Sequence, residues 1–293
     1  MQVIRAEAMG LCFGVRDALQ VIEQVERPGQ VTIHGELVHN PMVLEALDAR
    51  GFRQVDEHDR SGVPETPDVL ITAHGVSDAE RRRLETAGKR LIDTTCPLVL
   101  RVHRAARALE EQGYHVLVIG KRGHVEVRGI VEDLSRFTVV ESPGDVGRYE
   151  ARRLGIVCQT TTPPRHVERV VQEIRDLNPQ ADEIRLVDTV CRPTKLRQRA
   201  LEALLDRVEA VVVVGGRNSN NTRALVERCR ERGVAAWHVE GPGDLDPAWF
   251  DGISTVGLTA GTSTLDGTIA EVQRVLERLG ARGRRRVGAH VRG

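Results

Sequence analysis

Several features that mark familiar functional classes are scarce or absent in this chain of 293 residues. Aromatic residues make up 3% of it, which argues against a nucleic-acid site built on base stacking. The 42 basic and 42 acidic residues leave a formal net charge of zero, so no overall basic field exists to hold nucleic acid or an anionic membrane. We therefore expect neither as a partner.

Targeting and crosslinking signals are also lacking. The first ten residues, MQVIRAEAMG, contain no apolar core of a secretory signal, and no apolar stretch approaches the length of a membrane span. The five cysteines are odd in number and widely spaced, which argues against a disulfide framework. These absences predict a cytoplasmic protein whose cysteines bind metal, react or are simply buried.

The familiar phosphate-binding signatures are missing too. Neither G-x-x-x-x-G-K-[ST] nor G-x-G-x-x-G occurs, so the sequence gives no support for nucleotide binding by those loops.

What the chain does contain is a repeated alternation of apolar runs and amphipathic segments. Continuous apolar runs between segments of helical period are typical of parallel sheets that are buried on both faces. The predicted strands are 31–34, 69–72, 115–120, 154–158, 210–215 and 254–259.

This alternation predicts an α/β fold of several small modules with parallel sheets. We expect an N-terminal segment over 1–13, modules over 14–95, 96–187 and 188–280, and a disordered basic tail over 281–293, which has no apolar face. In such modules ligands bind beyond the carboxyl ends of the strands, where helix N-termini offer free N–H groups.

Three cysteines share one sequence context. Cys12, Cys96 and Cys191 each stand just before a predicted helix, 84 and 95 residues apart, which is close to one module each. Three thiolates at one point suit a soft metal or an iron–sulfur cluster, whereas structural zinc takes a fourth protein ligand. Burial is the alternative for any one of them, but the matching positions favour ligation. Cys158 and Cys229 are expected to be buried.

Three histidines follow predicted strands in a similar way. His39, His74 and His124 each precede a helix start, which suggests a converging anion site, although a lone histidine is more often structural. Glu126 lies two residues after His124, and in a strand-like loop both would face one side. A carboxylate there relays a proton beside a phosphate, or else it is a surface residue.

Three loops rich in Ser, Thr and Asn complete the pattern, at 159–164, 215–223 and 259–264. Such residues cap helices in many proteins. Their second use is to donate hydrogen bonds to a diphosphate.

The motifs together resemble one known family. CFGV, VHN, AHGVS, DTTCPLV, GHVEV, QTT, C-x-P-T-x-x-RQ, NSNNT and TAG-x-ST occur in the order found in the 4-hydroxy-3-methylbut-2-enyl diphosphate reductase (LytB) family. The resemblance covers about residues 2 to 279.

The resemblance implies a trefoil of three pseudo-equivalent α/β modules around one [4Fe-4S] cluster per chain. It implies that Cys12, Cys96 and Cys191 ligate three irons and leave the fourth open for the substrate hydroxyl. It also implies that Glu126 and Thr160 are catalytic. The implied substrate-binding residues are His39, His74, His124, Thr160, Thr161, Thr194, Ser219, Asn220, Asn221 and Ser263.

The implied reaction removes the substrate hydroxyl as water and yields isopentenyl and dimethylallyl diphosphate, the last step of the methylerythritol phosphate route. Reduced ferredoxin or flavodoxin is the implied electron donor, and the protein is expected to be a monomer. The sequence departs from the family pattern at Asn220, Thr262 and Leu265, within the diphosphate loops.

Two other functions stay open on the residues alone. One is a related iron–sulfur reductase that acts on another allylic or phosphorylated substrate. The other is a non-catalytic protein that binds zinc or phosphate.

Overall fold

The structure, a computed structural model, describes residues 1–57 and 59–290. Its strands form three four-stranded sheets, and every pair of neighbouring strands is parallel. The chain divides into two compact units, one made of Met1–Cys12 with Arg192–Gly293 and the other of Phe13–Cys191. The prediction of an α/β fold with three parallel modules is confirmed.

The elements follow in chain order. The strands are β1 (Gln2–Arg5), β2 (Val31–His34), β3 (Arg53–Gln54), β4 (Asp68–Ile71), β5 (Arg90–Asp93), β6 (His115–Ile119), β7 (Phe137–Val140), β8 (Arg153–Cys158), β9 (Glu183–Leu186), β10 (Ala210–Val214), β11 (Ala235–Val239) and β12 (Thr255–Ala260). The α-helices are α1 (Phe13–Glu23), α2 (Pro41–Ala49), α3 (Asp78–Thr86), α4 (Pro97–Glu111), α5 (Val125–Val131), α6 (Pro164–Leu177), α7 (Arg192–Leu205), α8 (Asn220–Glu231) and α9 (Asp266–His290).

All three sheets have the same strand order. The orders are β3-β2-β4-β5, β7-β6-β8-β9 and β11-β10-β12-β1, so the third sheet takes its fourth strand from the N-terminus of the chain. Strand β1 pairs along β12 from Gln2 with Thr255 to Arg5 with Leu258. The structure therefore differs from the predicted separate segment 1–13, because the start of that segment completes the sheet of the last module.

This order creates a switch point in each sheet. In the first sheet the chain runs from β2 to β3 at the edge and then returns to pair β4 with the opposite side of β2. The two central strands, β2 and β4 in the first sheet, thus send their loops to opposite faces. Ligands of parallel sheets bind at such switch points, beyond the carboxyl ends of the strands. The loops after the central strands are therefore where a site is expected.

The helices cover the sheets through narrow apolar faces. In α6, for example, the buried residues are Val167, Val170, Val171 and Ile174, which recur at helical spacing. They join the core of strands β6 and β8, where Leu117, Ile119, Leu154 and Ile156 are fully buried. Burying each such side chain stabilises the fold by about 1.5–3 kcal/mol, which fixes the strands whose ends carry the polar loops.

The C-terminal helix is longer than predicted. Helix α9 continues to His290, whereas the sequence predicted a disordered tail from residue 281. Arginine and alanine are good helix formers, and extending an existing helix is easier than starting a new one. Residues 291–293 of the predicted tail lie outside the described residues. In the part of the chain that the structure describes, no helix has the length and apolar character that crossing a membrane requires.

Candidate active site

The three cysteines singled out in the sequence occupy equivalent positions in the fold. Each is the residue immediately before a helix, because α1 begins at Phe13, α4 at Pro97 and α7 at Arg192. Cys12, Cys96 and Cys191 are partly exposed, while Cys158 and Cys229 are buried as predicted. Burial raises the pKa of the Cys229 thiol to about 12, which leaves it protonated and unsuited to bind metal.

The same type of backbone hydrogen bond holds each of the three cysteines. The N–H of each donates to a carbonyl that lies two residues beyond the third strand of the same sheet. These bonds join Cys12 to Thr262 (3.0 Å), Cys96 to Ala73 (3.1 Å) and Cys191 to Thr160 (2.9 Å). The same loop that carries a candidate substrate residue thus fixes the position of a thiol.

The surroundings of Cys96 suit a ligand sulfur that needs open space. A Cβ atom built at Gly14 would lie 2.6 Å from Cys96 Sγ, so a side chain at Gly14 would occupy the place of the sulfur. No three His, Cys, Asp or Glu side chains in the described part of the chain crowd together as the ligands of one metal ion do. A cubane binds each thiolate through a different iron, so its cysteines need not crowd in that way. The soft, partly exposed thiols at helix N-termini fit such a cluster.

The three histidines meet in the unit formed by Phe13–Cys191. His39 and His74 stack with ring centroids 4.4 Å apart. His124 stands edge-on to both, at 5.3 Å from His39 and 5.7 Å from His74. Loops after β2, β4 and β6 supply them, so two modules contribute to one cluster of rings.

The hydrogen bonds around these rings indicate where their protons lie. His124 Nδ1 accepts from the backbone N–H of Glu126 at 3.1 Å, so Nε2 of His124 carries the hydrogen. His39 Nδ1 lies 2.8 Å from the Glu36 carboxylate and donates to it. The Nε2 atoms of His39 and His124 are 3.4 Å apart.

His74 is the most enclosed of the three. Burial, followed by the charges of His39 and His124, holds the pKa of His74 well below its usual range. Its Nδ1 atom is buried and has no hydrogen-bond partner within the described residues. His74 is therefore neutral and has an unused polar atom.

Glu126 lies in a helix and not in the strand-like loop that the sequence suggested. His124 is the N-cap of α5 and Glu126 is its second residue, so the helix rather than an extended chain orients the pair. Only 1% of Glu126 is exposed. Its Oε1 accepts from Thr160 N at 2.6 Å and its Oε2 accepts from Thr160 Oγ at 2.9 Å.

The environment of Glu126 adjusts its acidity. Burial raises the pKa of Glu126 to about 7, against the opposing effect of the two bonds from Thr160. A carboxyl group of this kind exchanges a proton near neutral pH, as a general acid must. The hydroxyl of the next residue, Thr161, is buried and has no partner among the described side chains and backbone groups.

The unit that includes Arg192–Gly293 carries the other predicted residues. Ser219 caps α8 by accepting from Thr222 N at 3.3 Å. The amide of Asn221 is buried, and neither its oxygen nor its nitrogen has a partner in the described part of the chain. Ser263 and Thr194 are also buried. Asn220 instead accepts from the Arg223 guanidinium at 2.7 Å on the helix surface.

The candidate diphosphate residues repeat with the modules. The fifth residue after the first strand of each module is His39, His124 or Ser219, and the third residue after the third strand is His74, Thr161 or Ser263. This equivalence was not visible as a sequence repeat, because the residue types change from module to module.

Two contacts were missed in the sequence. Glu36 binds His39, as described above, and Gln159 Oε1 accepts from the N–H of Lys121 at 3.0 Å, which joins the loops after β8 and β6. Both residues lie inside the motif-bearing stretches HGELVHN and QTT, which was the available signal.

The sequence profile of the family described as LytB protein matches residues 3–277. The chain belongs to this family. The resemblance stated from the motifs is thereby confirmed.

Several proteins similar to this chain share the name 4-hydroxy-3-methylbut-2-enyl diphosphate reductase. The 4-hydroxy-3-methylbut-2-enyl diphosphate reductase of Anaeromyxobacter sp. (strain K) is 36% identical over 278 residues, which cover 93% of this chain and 97% of the relative.

Solved structures agree. The structure of the E-1-hydroxy-2-methyl-but-2-enyl-4-diphosphate reductase from Plasmodium falciparum matches with a TM-score of 0.85 and 26% sequence identity. The match covers 94% of this chain and 87% of the Plasmodium chain. A second structure, described as the terminal enzyme of the non-mevalonate pathway, matches with a TM-score of 0.64 and 33% sequence identity. The match covers 95% of this chain and 100% of the second one.

Proposed function

We propose that this chain is an iron–sulfur reductase that converts 4-hydroxy-3-methylbut-2-enyl diphosphate to isopentenyl and dimethylallyl diphosphate. Membership of the LytB family and the shared name of its relatives support this substrate. The observation that carries the reaction is the buried Glu126–Thr160 pair beside three clustered histidines. A protein that only binds phosphate or zinc has no need of a carboxyl group whose pKa is adjusted to about 7.

The proposed cofactor is one [4Fe-4S] cluster held by Cys12, Cys96 and Cys191. Their equivalent places before three helices, and the space that Gly14 leaves at Cys96, support this assignment. When bound, the cluster supplies electrons and a Lewis-acidic iron.

Several buried polar atoms have no hydrogen-bond partner within the described residues, and the diphosphate is their proposed partner. These atoms include His74 Nδ1, Thr161 Oγ and the Asn221 amide. Buried polar groups in native proteins are nearly always satisfied, so each of these is expected to bind a ligand or water. The hydrogen on His124 Nε2, and the hydroxyls of Ser219 and Ser263, are further donors suited to phosphate oxygens.

Glu126 and Thr160 deliver the proton that converts the substrate hydroxyl to water. Protonated Glu126 donates to Thr160 Oγ while the Thr160 hydroxyl hydrogen passes to the leaving oxygen. Because a hydroxyl both donates and accepts, the short Oε2–Oγ contact permits this transfer without moving either side chain. The overall reaction takes up two electrons and two protons and releases one water.

The proposal extends to the electron donor, the oligomeric state, the location in the cell and two further binding residues. Reduced ferredoxin or flavodoxin is the proposed electron donor, and the protein acts as a monomer in the cytoplasm. Thr194 is a further proposed substrate-binding residue, whereas the bond from Arg223 to Asn220 makes Asn220 the weakest proposed member of the binding set.

The test is anaerobic purification followed by an assay with the diphosphate substrate and reduced methyl viologen. A brown protein that forms both products supports the proposal. A brown protein that binds the substrate without converting it would favour the related reductase of another substrate. A colourless protein that contains zinc would favour a binding protein.

A further inference from the structure

Glu36 holds His39, one of the three clustered histidines, in a defined orientation. The Glu36 carboxylate lies 2.8 Å from His39 Nδ1, and the two side chains are 26% and 12% exposed. A carboxylate accepts hydrogen bonds only, so the hydrogen between them belongs to Nδ1 of His39. This contact fixes both the direction of the ring and its tautomer.

A buried ion pair holds Glu36 itself. Its backbone N–H donates to Glu57 Oε2 at 2.5 Å, and Glu57 pairs with Arg60, both being buried. Gly35 has φ of +102°, and a Cβ there would overlap the Arg60 guanidinium, so the loop rests directly on this pair. The backbone at Glu36 is thus set by the fold, and the contact with His39 Nδ1 places its carboxylate.

The tautomer has a consequence for anion binding. With its hydrogen on Nδ1, a neutral His39 presents a lone pair at Nε2, which at present faces the Nε2–H of His124 at 3.4 Å. A lone pair repels a phosphate oxygen, whereas an imidazolium ring donates an N–H to it. His39 therefore serves a diphosphate only after it gains a proton.

We propose that Glu36 is a positioning residue that causes His39 to take up one proton as the diphosphate binds. The inference rests on the proposed function, since it assumes that the diphosphate binds at the histidines. Among the described residues, the titratable groups that face His39 include Glu36, His74 and His124, the charge of His39 acts on Glu126, and the charge of Arg60 acts on His74. Glu36 and the incoming anion both stabilise the imidazolium form, one at each ring nitrogen.

The experiment is calorimetric titration of the anaerobically prepared holoenzyme with inorganic pyrophosphate at mildly alkaline pH. Repeating it in buffers that differ in ionisation enthalpy gives the number of protons taken up. We expect about one proton per pyrophosphate for the wild type. Glu36→Leu should take up a small fraction of a proton and bind roughly 10- to 100-fold more weakly, because one charge-assisted bond is lost.

Two further variants separate positioning from structure. Glu36→Gln keeps an acceptor for Nδ1–H, so it should bind more tightly than Glu36→Leu while still taking up less than the wild-type proton. Glu65→Gln removes the same charge from a side chain that is 85% exposed and should leave affinity and proton uptake unchanged.

Three results would overturn the inference. They are pyrophosphate binding by the wild type without proton uptake, full uptake by Glu36→Leu, and a wild type that turns over substrate but does not bind pyrophosphate. If neither pyrophosphate binding nor turnover is found, the proposed function fails as well. A purely structural role for Glu36 would weaken binding in its variants but leave the proton count at one.

Discussion

Replacing Glu126 by glutamine should lower turnover and raise stability at the same time. The glutamine oxygen can accept from Thr160 N, and its NH2 group can donate to Thr160 Oγ as protonated Glu126 would, so both pairs of atoms stay in contact although the second bond is reversed. The variant cannot donate the proton that leaves with the substrate oxygen. Removing a positioned acid costs about 10²–10⁴-fold in rate.

The gain in stability follows from the pKa of Glu126. Burial raises it from 4.5 to about 7, so the folded protein favours the neutral acid. That preference contributes fully below about pH 4.5, where the carboxyl is neutral in both states, and it is lost as pH rises through about 7. The difference corresponds to about 3 kcal/mol, which the wild type loses over this range and the glutamine variant does not.

Two assays test this reasoning on the anaerobic holoenzyme. Single-turnover kinetics with a pre-reduced cluster should show slow product formation by Glu126→Gln, and wild-type rates that fall as pH rises through about 7. Thermal unfolding should show that the variant has the higher melting temperature at alkaline pH and no advantage under acidic conditions. A variant that turns over within a few-fold of wild type, or that is less stable at alkaline pH, would refute the account.

Two smaller predictions concern the cluster and the diphosphate. Gly14→Ala should lose most of its iron, because the added Cβ would stand 2.6 Å from Cys96 Sγ; Gly62→Ala, with nothing within 4 Å, is the control, and equal iron in both would contradict the prediction. Asn221→Leu should weaken pyrophosphate binding by about 1.5–3 kcal/mol in calorimetry, yet raise the melting temperature because it removes two unsatisfied buried atoms. Unchanged affinity would remove Asn221 from the site.

The central strands were predictable from the sequence and the edge strands were not. Strands such as β6 and β10 are buried nearly along their whole length, so they appear as unbroken apolar runs. Edge strands such as β1 and β9 are partly exposed and mix charged with apolar residues, as in QVIR and EIRL. Missing β1 also hid the fact that the N-terminus completes the last module.

The candidate site residues follow those central strands, so their places in the fold could be predicted from the sequence, but their orientation could not. His124 and Glu126 were placed in a strand-like loop, whereas the N-cap at His124 starts a helix that directs Glu126 towards Thr160. The role of Gly14 depends on its contact with Cys96, which is far away in the chain. The role of Glu36 depends on which nitrogen of the His39 ring carries the hydrogen. Sequence spacing contains neither kind of information.

The iron content of anaerobically purified cysteine variants tests most directly whether Cys12, Cys96 and Cys191 bind one cluster. Serine at Cys12, Cys96 or Cys191 should each remove most of the iron, because all three thiolates are proposed to bind one cluster. Serine at Cys229, which is buried inside α8, should leave the iron content at the wild-type level. Full iron content in any of the first three variants, or loss of iron from Cys229→Ser alone, would contradict this proposal.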